Sequence, residues 1–280
     1  ADIKDSIDIP TYDWIVKIAQ EEKTSKNYLW HLAAGYLQTL QGNFDFANTA
    51  YAKAEQQMPP TPLAKSQLRL LRFMNQWFAL DTIKSTDETA LLPDLQWLYV
   101  DCVKKAPDNF RFSGPSSISK AFLSALYAKQ GNVVMSELFD SKSGFYGNVE
   151  QLNAMKSFLS KPNNYKTPYE QLVTKIYTYT LSDINDFQAV EASFQNKIPQ
   201  AIAFMEQSDN GKEKLYGNPF KGSIQDCHDC DHAEPQKTKY SRLQLLQYIN
   251  GMQNNLAANK DVFNSALLLG NAFYNITYFG

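Results

Sequence analysis

Apolar residues recur every three or four positions along most of the chain, and strict alternation of apolar and polar residues is scarce. The three- to four-residue period is that of an amphipathic α-helix, whereas alternation would indicate a half-buried strand. The pattern therefore predicts an all-α fold with helices of about 12 to 20 residues. Because the connections between them are short, we expect successive helices to stack as antiparallel pairs.

Three predicted helix starts carry residues suited to capping. Thr167-Pro168-Tyr169-Glu170 places a hydroxyl at the N-cap, proline at the first helical position and a carboxylate at the third. Ser85 with Glu88 has the same spacing, and Thr61-Pro62 is a weaker version. Helices are expected to break at glycines and prolines. These breaks are Gly42, Pro59, Gly114-Pro115, Gly131, Pro162 and Gly211.

The segment from His31 to Pro59 reads HLAAGYLQTLQGNFDFANTAYAKAEQQMP. Its small, aromatic and proline positions resemble the tetratricopeptide repeat. The matching residues are Gly35, Gly42, Phe44, Ala47, Tyr51, Ala54 and Pro59. His31 stands where the repeat usually has tryptophan, next to Trp30, so the first helix is expected to be slightly shifted. The resemblance implies two antiparallel helices that approach closely at Gly35 and Ala47, with His31 packed between helices.

A single helix pair of this kind cannot bury its own apolar face and needs neighbours. Residues 119–140 and 266–270 carry degenerate copies of the repeat pattern. We expect residues 1–210 to form a helical-repeat region, and residues 211–280 to form a loop followed by a helical pair on the same domain. The alternative is an irregular helical bundle with one chance match. The many tyrosines and phenylalanines either fill the core or anchor a bound peptide on a concave face.

Composition excludes several partner classes. The chain has 280 residues, 44% of them hydrophobic, which is enough for a sizeable core. The formal net charge of −2 predicts no general attraction to nucleic acid or anionic lipid. No apolar run approaches the roughly 20 residues of a transmembrane helix, so no transmembrane segment is expected. The chain begins at Ala1 and ends in an apolar predicted helix, and we expect it to be a segment of a longer protein.

Most catalytic signatures are missing or are chance matches, so no catalytic residues are predicted and an enzymatic function is not favoured. Gly217 and Gly222 have phosphate-loop spacing, but no lysine follows the second glycine. Ser117-Ile-Ser-Lys120 and Ser208-Asp-Asn210 imitate two parts of a serine acylase set whose third part is absent. Cys102 lies on the apolar face of a predicted helix, where a buried, inert thiol is expected.

Residues 226–232, with the sequence DCHDCDH, contain two of the three cysteines and two of the three histidines of the chain. Cys-x-x-Cys closes a turn whose two thiolates bind one soft cation, and imidazoles supply further donors of the kind Zn²⁺ accepts. The sequence therefore predicts an exposed loop with a zinc site. Its ligands would be Cys227, His228, Cys230 and His232. Ligands this close together are typical of a structural site and not of an open catalytic one.

Three other interpretations of this loop stay open. Cys227 and Cys230 also have the spacing of a disulfide or redox pair, which suits an exported protein. Asp226, Asp229 and Asp231 could instead hold a hard cation. Finally, the loop could be a polar surface segment with no ligand.

The stretch Gly217-Asn-Pro-Phe, the Cys/His loop and the terminal LGNAFYNITYFG are similar to a region of large uncharacterised exported proteins of Gram-negative bacteria. This similarity implies a periplasmic or surface-exposed location in the cell envelope, where a membrane-associated complex is a possible setting, and it implies no activity. Asn275-Ile-Thr277 matches a glycosylation acceptor but lies inside a predicted apolar helix, so it is discounted.

Together these patterns predict a non-enzymatic protein-binding scaffold that belongs to a bacterial envelope assembly. The helical-repeat resemblance supplies this function, because stacked helix pairs bind partners along a concave face. The alternative is a metal-dependent hydrolase or redox protein that uses the Cys/His loop.

Overall fold

A computed structural model describes residues 9–21, 27–215, 217–222 and 239–279. These residues form thirteen α-helices and no β-strand, which confirms the predicted all-α fold. An isolated antiparallel bridge joins Lys214 to Ser241. The helices are α1 Ile9–Glu21, α2 Asn27–Leu40, α3 Phe44–Gln57, α4 Pro62–Phe78, α5 Ser85–Leu95, α6 Phe110–Lys129, α7 Val133–Phe139, α8 Val149–Ser160, α9 Pro168–Ile176, α10 Leu181–Phe194, α11 Ile198–Met205, α12 Arg242–Ala257 and α13 Val262–Phe279.

The chain divides into two compact units. The first contains residues 1–154 and 161–177, and the second contains residues 155–160 and 178–280. Within each unit, helices that follow one another in the sequence pack together, as predicted. Examples are α2 with α3 and α6 with α7 in the first unit, and α10 with α11 and α12 with α13 in the second. The division that the sequence predicted between residues 210 and 211 falls inside the second unit.

Two of the three predicted helix starts have the expected cap. The hydroxyl of Thr167 accepts a hydrogen bond from the backbone N–H of Glu170 at 3.1 Å, and the Glu170 carboxylate accepts one from the Thr167 N–H at 2.6 Å. The hydroxyl of Thr61 accepts from the N–H of Ala64 at 3.2 Å. In both cases proline occupies the first helical position, where no intrahelical donor is needed.

The predicted capping box of Ser85 and Glu88 is wrong by one residue. Ser85 is the first residue of α5, and the carboxylate of Asp87 accepts a hydrogen bond from the Lys84 N–H at 2.9 Å. The Glu88 carboxylate instead accepts from the hydroxyl of Tyr127 at 2.8 Å. Two adjacent carboxylates compete for the same cap, and the contact of Glu88 with α6 decides which of them provides it.

The predicted break at Gly114-Pro115 is also wrong, because both residues lie inside α6. Pro115 removes one backbone donor, yet the buried face of α6 continues past it through Ser119 and Leu123, so tertiary packing overrides the local signal. Other predicted breaks are confirmed. Gly42 and Gly131 follow the ends of α2 and α6 with φ of 79° and 75°, a conformation that favours glycine.

Helix α5 does not end in a loop but continues as a π-helical segment, Gln96–Val103. Pro93 lies one turn earlier, inside α5, and has no N–H with which to close the local α-helical ladder. A π-helical turn is rare and commonly occurs at functional sites. The segment directs Tyr99, Val100 and Val103 toward a pocket described below.

Each unit has its own buried apolar cluster. In the first, Tyr51, Ala47 and Ala54 of α3 pack with Leu32 of α2 and Leu68 of α4. The second cluster joins α10 to α13. Its members are Ala189, Ala192, Ile198, Ala201, Met205, Leu215, Leu245, Leu246, Ile249, Met252, Leu269 and Ala272.

Two asparagines of α13 hold residues 219–221, which lie before α12 in the chain. The amide of Asn275 donates to the carbonyls of Pro219 and Lys221, each at 2.9 Å, and that of Asn271 donates to the Phe220 carbonyl at 3.0 Å. Asn275 is only 1% exposed, so its side chain is committed to this contact. The burial of this residue agrees with the expectation that its glycosylation motif is a chance match.

Candidate functional site

The predicted zinc loop lies outside the described residues, since these omit residues 223–238. A metal site formed by Cys227, His228, Cys230 and His232 therefore stays a prediction, and so does the disulfide alternative. Within the part of the chain that the structure describes, no group of three or more His, Cys, Asp or Glu side chains is placed to hold a metal ion. Elemental analysis with a thiol titration separates the two: zinc with two protected thiols, or no metal with one free thiol.

Cys102 lies in the π-helical segment as a free thiol that is partly buried, not fully buried as expected. Burial raises the pKa of this thiol, and the neighbouring Asp101 carboxylate raises it further. Because the thiolate is the reactive form, a raised pKa agrees with the prediction of an inert cysteine.

A serine and a lysine approach each other in the first unit without forming a catalytic dyad. The Lys142 ammonium donates a hydrogen bond to the Ser124 hydroxyl oxygen at 3.0 Å. Ser124 is fully buried, however, and its hydroxyl donates to the Ser136 carbonyl at 2.7 Å. A nucleophile must reach the substrate, so this pair is interpreted as part of the packing between α6 and α7.

A groove of about 340 Å³ runs along α1, α2 and α3 in the first unit. Ala19 of α1 and Ala34 of α2 lie buried along it, while Phe46 of α3 is 70% exposed. His31 also lines the groove and is 2% exposed, which confirms that it packs among the helices. The groove thus combines small buried residues with one large aromatic side chain in solvent.

The close approach of α2 and α3 shapes this groove. A Cβ atom added to Gly35 would overlap the ring of Tyr51, and both Ala47 and Tyr51 are fully buried. The predicted requirement for small residues at Gly35 and Ala47 is therefore confirmed. Since Tyr51, Ala47 and Ala54 face the core, Phe46 is left on the side of α3 that borders the groove.

A buried hydrogen-bond network fixes the helix pair against α4. The Thr39 hydroxyl lies 2.7 Å from the Asn75 carbonyl oxygen Oδ1 and 3.1 Å from the Tyr51 hydroxyl. The Asn75 amide donates to Oδ1 of Asn48 at 3.0 Å and to the Phe44 carbonyl at 3.1 Å. Burial raises the pKa of Tyr51 to about 12, so its hydroxyl stays neutral near pH 7. A network of this kind holds the groove helices in one register.

Three lining side chains could engage a partner. The side-chain oxygen Oε1 of Gln38 is buried and accepts no hydrogen bond from the described residues. Lys53 is exposed, and no carboxylate lines the groove. Within the described part of the chain Lys53 forms no ion pair. Gln38 thus offers a hydrogen-bond acceptor, Lys53 a positive charge and Phe46 an apolar surface.

No family model, curated protein or solved structure matches this chain. Among the residues that the structure describes, no helix has both the length and the apolar character needed to span a bilayer.

The sequence pattern did not identify Gln38, Phe46 or Lys53 as site residues. The only available signal was Phe46, a large aromatic residue one position before Ala47 and therefore away from the buried stripe of α3. In the sequence Gln38 and Lys53 look like ordinary polar residues of a helix surface, and only the packing of the neighbouring helices makes them part of a groove.

Proposed function

We propose that the chain is a non-enzymatic protein-binding scaffold that holds a peptide segment of a partner in the groove along α1, α2 and α3. The observation that carries this proposal is the composition of the groove. It contains an exposed aromatic ring, a buried acceptor with no partner among the described residues and a lysine that forms no ion pair with a described residue. The resemblance of residues 31–59 to the tetratricopeptide repeat supports the same function.

The groove favours a peptide with one apolar side chain and one carboxylate. Phe46 would pack against the apolar side chain, and burial of such aromatic anchors contributes most of the affinity of many interfaces. Lys53 would pair with an acidic side chain or a C-terminal carboxylate. A backbone N–H of the peptide would satisfy Gln38 Oε1, a buried acceptor that receives no hydrogen bond from the described residues and therefore costs free energy.

Selection from a random dodecapeptide display library tests this proposal and does not require the natural partner to be identified. We expect selected peptides to share an apolar residue and a carboxylate. Their affinity, measured by fluorescence anisotropy, should fall at least tenfold with Phe46→Ala, since truncation of a central aromatic anchor typically costs about 2 kcal/mol or more. Lys53→Glu should weaken binding further by repelling the carboxylate.

Phe110→Ala is the matched control, because Phe110 is 83% exposed in the same unit but does not line the groove. It should leave peptide affinity unchanged. Selected peptides that bind equally well to wild type and to Phe46→Ala and Lys53→Glu would contradict the proposed function.

We also propose that this scaffold works in the envelope of a Gram-negative bacterium, as part of a larger assembly. The similarity of the C-terminal segment to exported proteins supports this location. Fractionation of the source cells, with detection of the native protein by antibody, tests it. Recovery in the cytosolic fraction alone would contradict it.

A further inference from the structure

A second pocket in the first unit has a different character. It has a volume of about 230 Å³ and lies among the π-helical segment, α6 and the C-terminal end of α9. Tyr99 and Ile176 form part of its apolar lining. Its charged lining consists of three lysines, and no carboxylate is among the lining residues. The lysines are Lys104, Lys120 and Lys175.

Among the described residues these lysines form no direct ion pair with an acid. None of the three donates a side-chain hydrogen bond to another described residue. Lys104 and Lys175 are exposed, whereas Lys120 is partly buried. Burial lowers the pKa of the Lys120 ammonium, and the Asp140 carboxylate acts in the opposite direction. Positive charges gathered around one small pocket repel one another, and a bound anion would relieve that repulsion.

Two further residues equip the pocket for a ligand. Ser116 is 4% exposed and lines the pocket, yet its hydroxyl makes no hydrogen bond to another described residue. A hydroxyl that lines a pocket and has no partner among the described residues is a donor available to a ligand. Tyr99 is held in place by a 3.0 Å hydrogen bond to the Ser119 hydroxyl, and the Lys120 ammonium lies 5.2 Å from the centre of its ring. The tyrosine therefore helps to position the lysine over the pocket.

We propose that this pocket binds the phosphate group of a small phosphate monoester. A phosphate monoester carries about −1.5 to −2 charges near pH 7, which suits three ammonium groups. Lysine acts on phosphate as a point charge, whereas a planar carboxylate is better matched by the arginine fork that this lining lacks. The volume is below the roughly 300 Å³ at which pockets for drug-sized ligands begin, so the organic part of the ligand must be small.

Titration calorimetry on the whole chain tests this assignment with two phosphate probes, glycerol phosphate and inorganic phosphate, and with succinate for comparison. We expect both phosphate probes to bind, and glycerol phosphate to bind more tightly than succinate. Lys120→Gln should weaken glycerol phosphate binding about tenfold or more, because it removes the partly buried charge. Lys104→Gln, Lys175→Gln and Ser116→Ala should each weaken it roughly two- to fivefold.

The matched control is Lys105→Gln. Lys105 is next to Lys104 but pairs with Asp101 at 3.7 Å and does not line the pocket. It should leave the affinity unchanged, and circular dichroism of each variant verifies the fold. The assignment is overturned by absence of binding at tens of millimolar phosphate probe, by tighter binding of succinate, or by equal losses in Lys105→Gln and Lys120→Gln. None of these results bears on the peptide groove.

Discussion

The core between α2, α3 and α4 and the core among α10 to α13 are built from different kinds of contact. The first encloses the hydrogen-bond network of Thr39, Tyr51 and Asn75 next to its apolar residues. The buried members of the second cluster are aliphatic residues and methionine. The buried polar side chains Ser193 and Asn275 of the same helices bond to backbone carbonyls and do not form a side-chain network, and the ion pair between Arg242 and Asp186 at 2.9 Å is partly exposed.

The difference shows that one kind of contact mainly stabilises the fold, whereas the other mainly selects one arrangement of the helices. Apolar side chains stabilise in many arrangements of similar volume, so an apolar core tolerates repacking. A buried polar network is satisfied in only one arrangement, because each misplaced group is left without a partner in a medium of low dielectric. The network around Asn75 therefore defines how α4 lies on the α2–α3 pair, and with it the geometry of the groove.

Spectroscopy can follow the two cores separately. All four tryptophans belong to the first unit: Trp14, Trp30, Trp77 and Trp97. Tryptophan fluorescence therefore reports on the first unit, and amide hydrogen exchange of peptides from α10 to α13 reports on the second.

The largest loss of stability is expected from a cavity in the apolar core among α10 to α13. Ile249 is fully buried on α12, so Ile249→Ala should lower the free energy of unfolding by about 3 to 4 kcal/mol, through lost burial and the cavity left behind. Exchange of α12 amides measures this loss. Ile249→Leu should cost less than about 1.5 kcal/mol if the core tolerates repacking. Equal losses in both variants would remove the contrast between the two cores.

The hydrogen-bond network around Asn75 should not tolerate a substitution that keeps the volume of the side chain. Asn75→Leu has a similar volume but leaves Thr39, Asn48 and the Phe44 carbonyl without their amide partner, so we expect a loss of about 2 to 3 kcal/mol. Urea unfolding followed by tryptophan fluorescence measures it. Asn48→Ala, at an exposed position of the same network, should cost less than about 1 kcal/mol. If Asn75→Leu is as mild as Ile249→Leu, the network does not specify the packing.

Gly35 and Gly211 test how much close packing against a glycine contributes to stability in each unit. A Cβ at Gly211 would lie 2.6 Å from the Met205 carbonyl oxygen, whereas one at Gly35 would meet the buried ring of Tyr51. Each change to alanine should cost about 1 to 3 kcal/mol, with Gly211 the larger, since a backbone atom cannot rotate away. Gly251→Ala, where the helix faces open space, should instead stabilise by about 0.5 to 1 kcal/mol. Thermal melts of the three variants provide the ranking.

The smallest expected effect is the change in stability with pH that arises from the buried carboxyl group of Glu137. Glu137 is 1% exposed in the first unit, and burial raises the pKa of its carboxyl group above the usual value, although Lys142 and Tyr177 donate hydrogen bonds to it. A carboxyl group with a raised folded-state pKa loses its contribution to stability as pH rises from the unfolded pKa, about 4.3, through the folded one.

Glu137→Gln removes this titration. The stability of the variant minus that of wild type should therefore increase between pH 4 and pH 6, as measured by urea unfolding with tryptophan fluorescence. A difference that is constant or decreases over this range would show that the buried carboxylate does not resist ionisation.

Local sequence signals predicted what depends on local geometry. The helical period, the cap at Thr167 and the need for glycine at position 35 all follow from residues within about one helix pair. The continuation of α6 through Pro115 did not, because its buried face is created by helices elsewhere in the chain. The capping box at Ser85 failed for a similar reason, since α6 supplies the partner of Glu88.

The candidate sites were harder to predict than the fold. Asn75 lies 36 residues from Thr39 along the chain, and the hydrogen bond between them has no sequence signature. Lys104, Lys120 and Lys175 are also far apart along the chain and look like ordinary surface lysines until the π-helical segment and α9 bring them together. The Cys/His loop, which has the strongest local signal, lies outside the described residues.

The asparagines of α13 have a consequence for that loop. They fix residues 219–221, while residues 239–241 are held by the bridge between Lys214 and Ser241 and by the 2.8 Å bond from Leu215 N–H to the Tyr240 carbonyl. The residues on both sides of the connecting segment are thus held to the second unit. Folding of that unit therefore offsets the entropic cost of bringing the two ends together. If Cys227 and Cys230 bind a metal or form a disulfide, the residues on both sides of them are already held in place, so loss of either anchor would weaken that site without any change to its ligands.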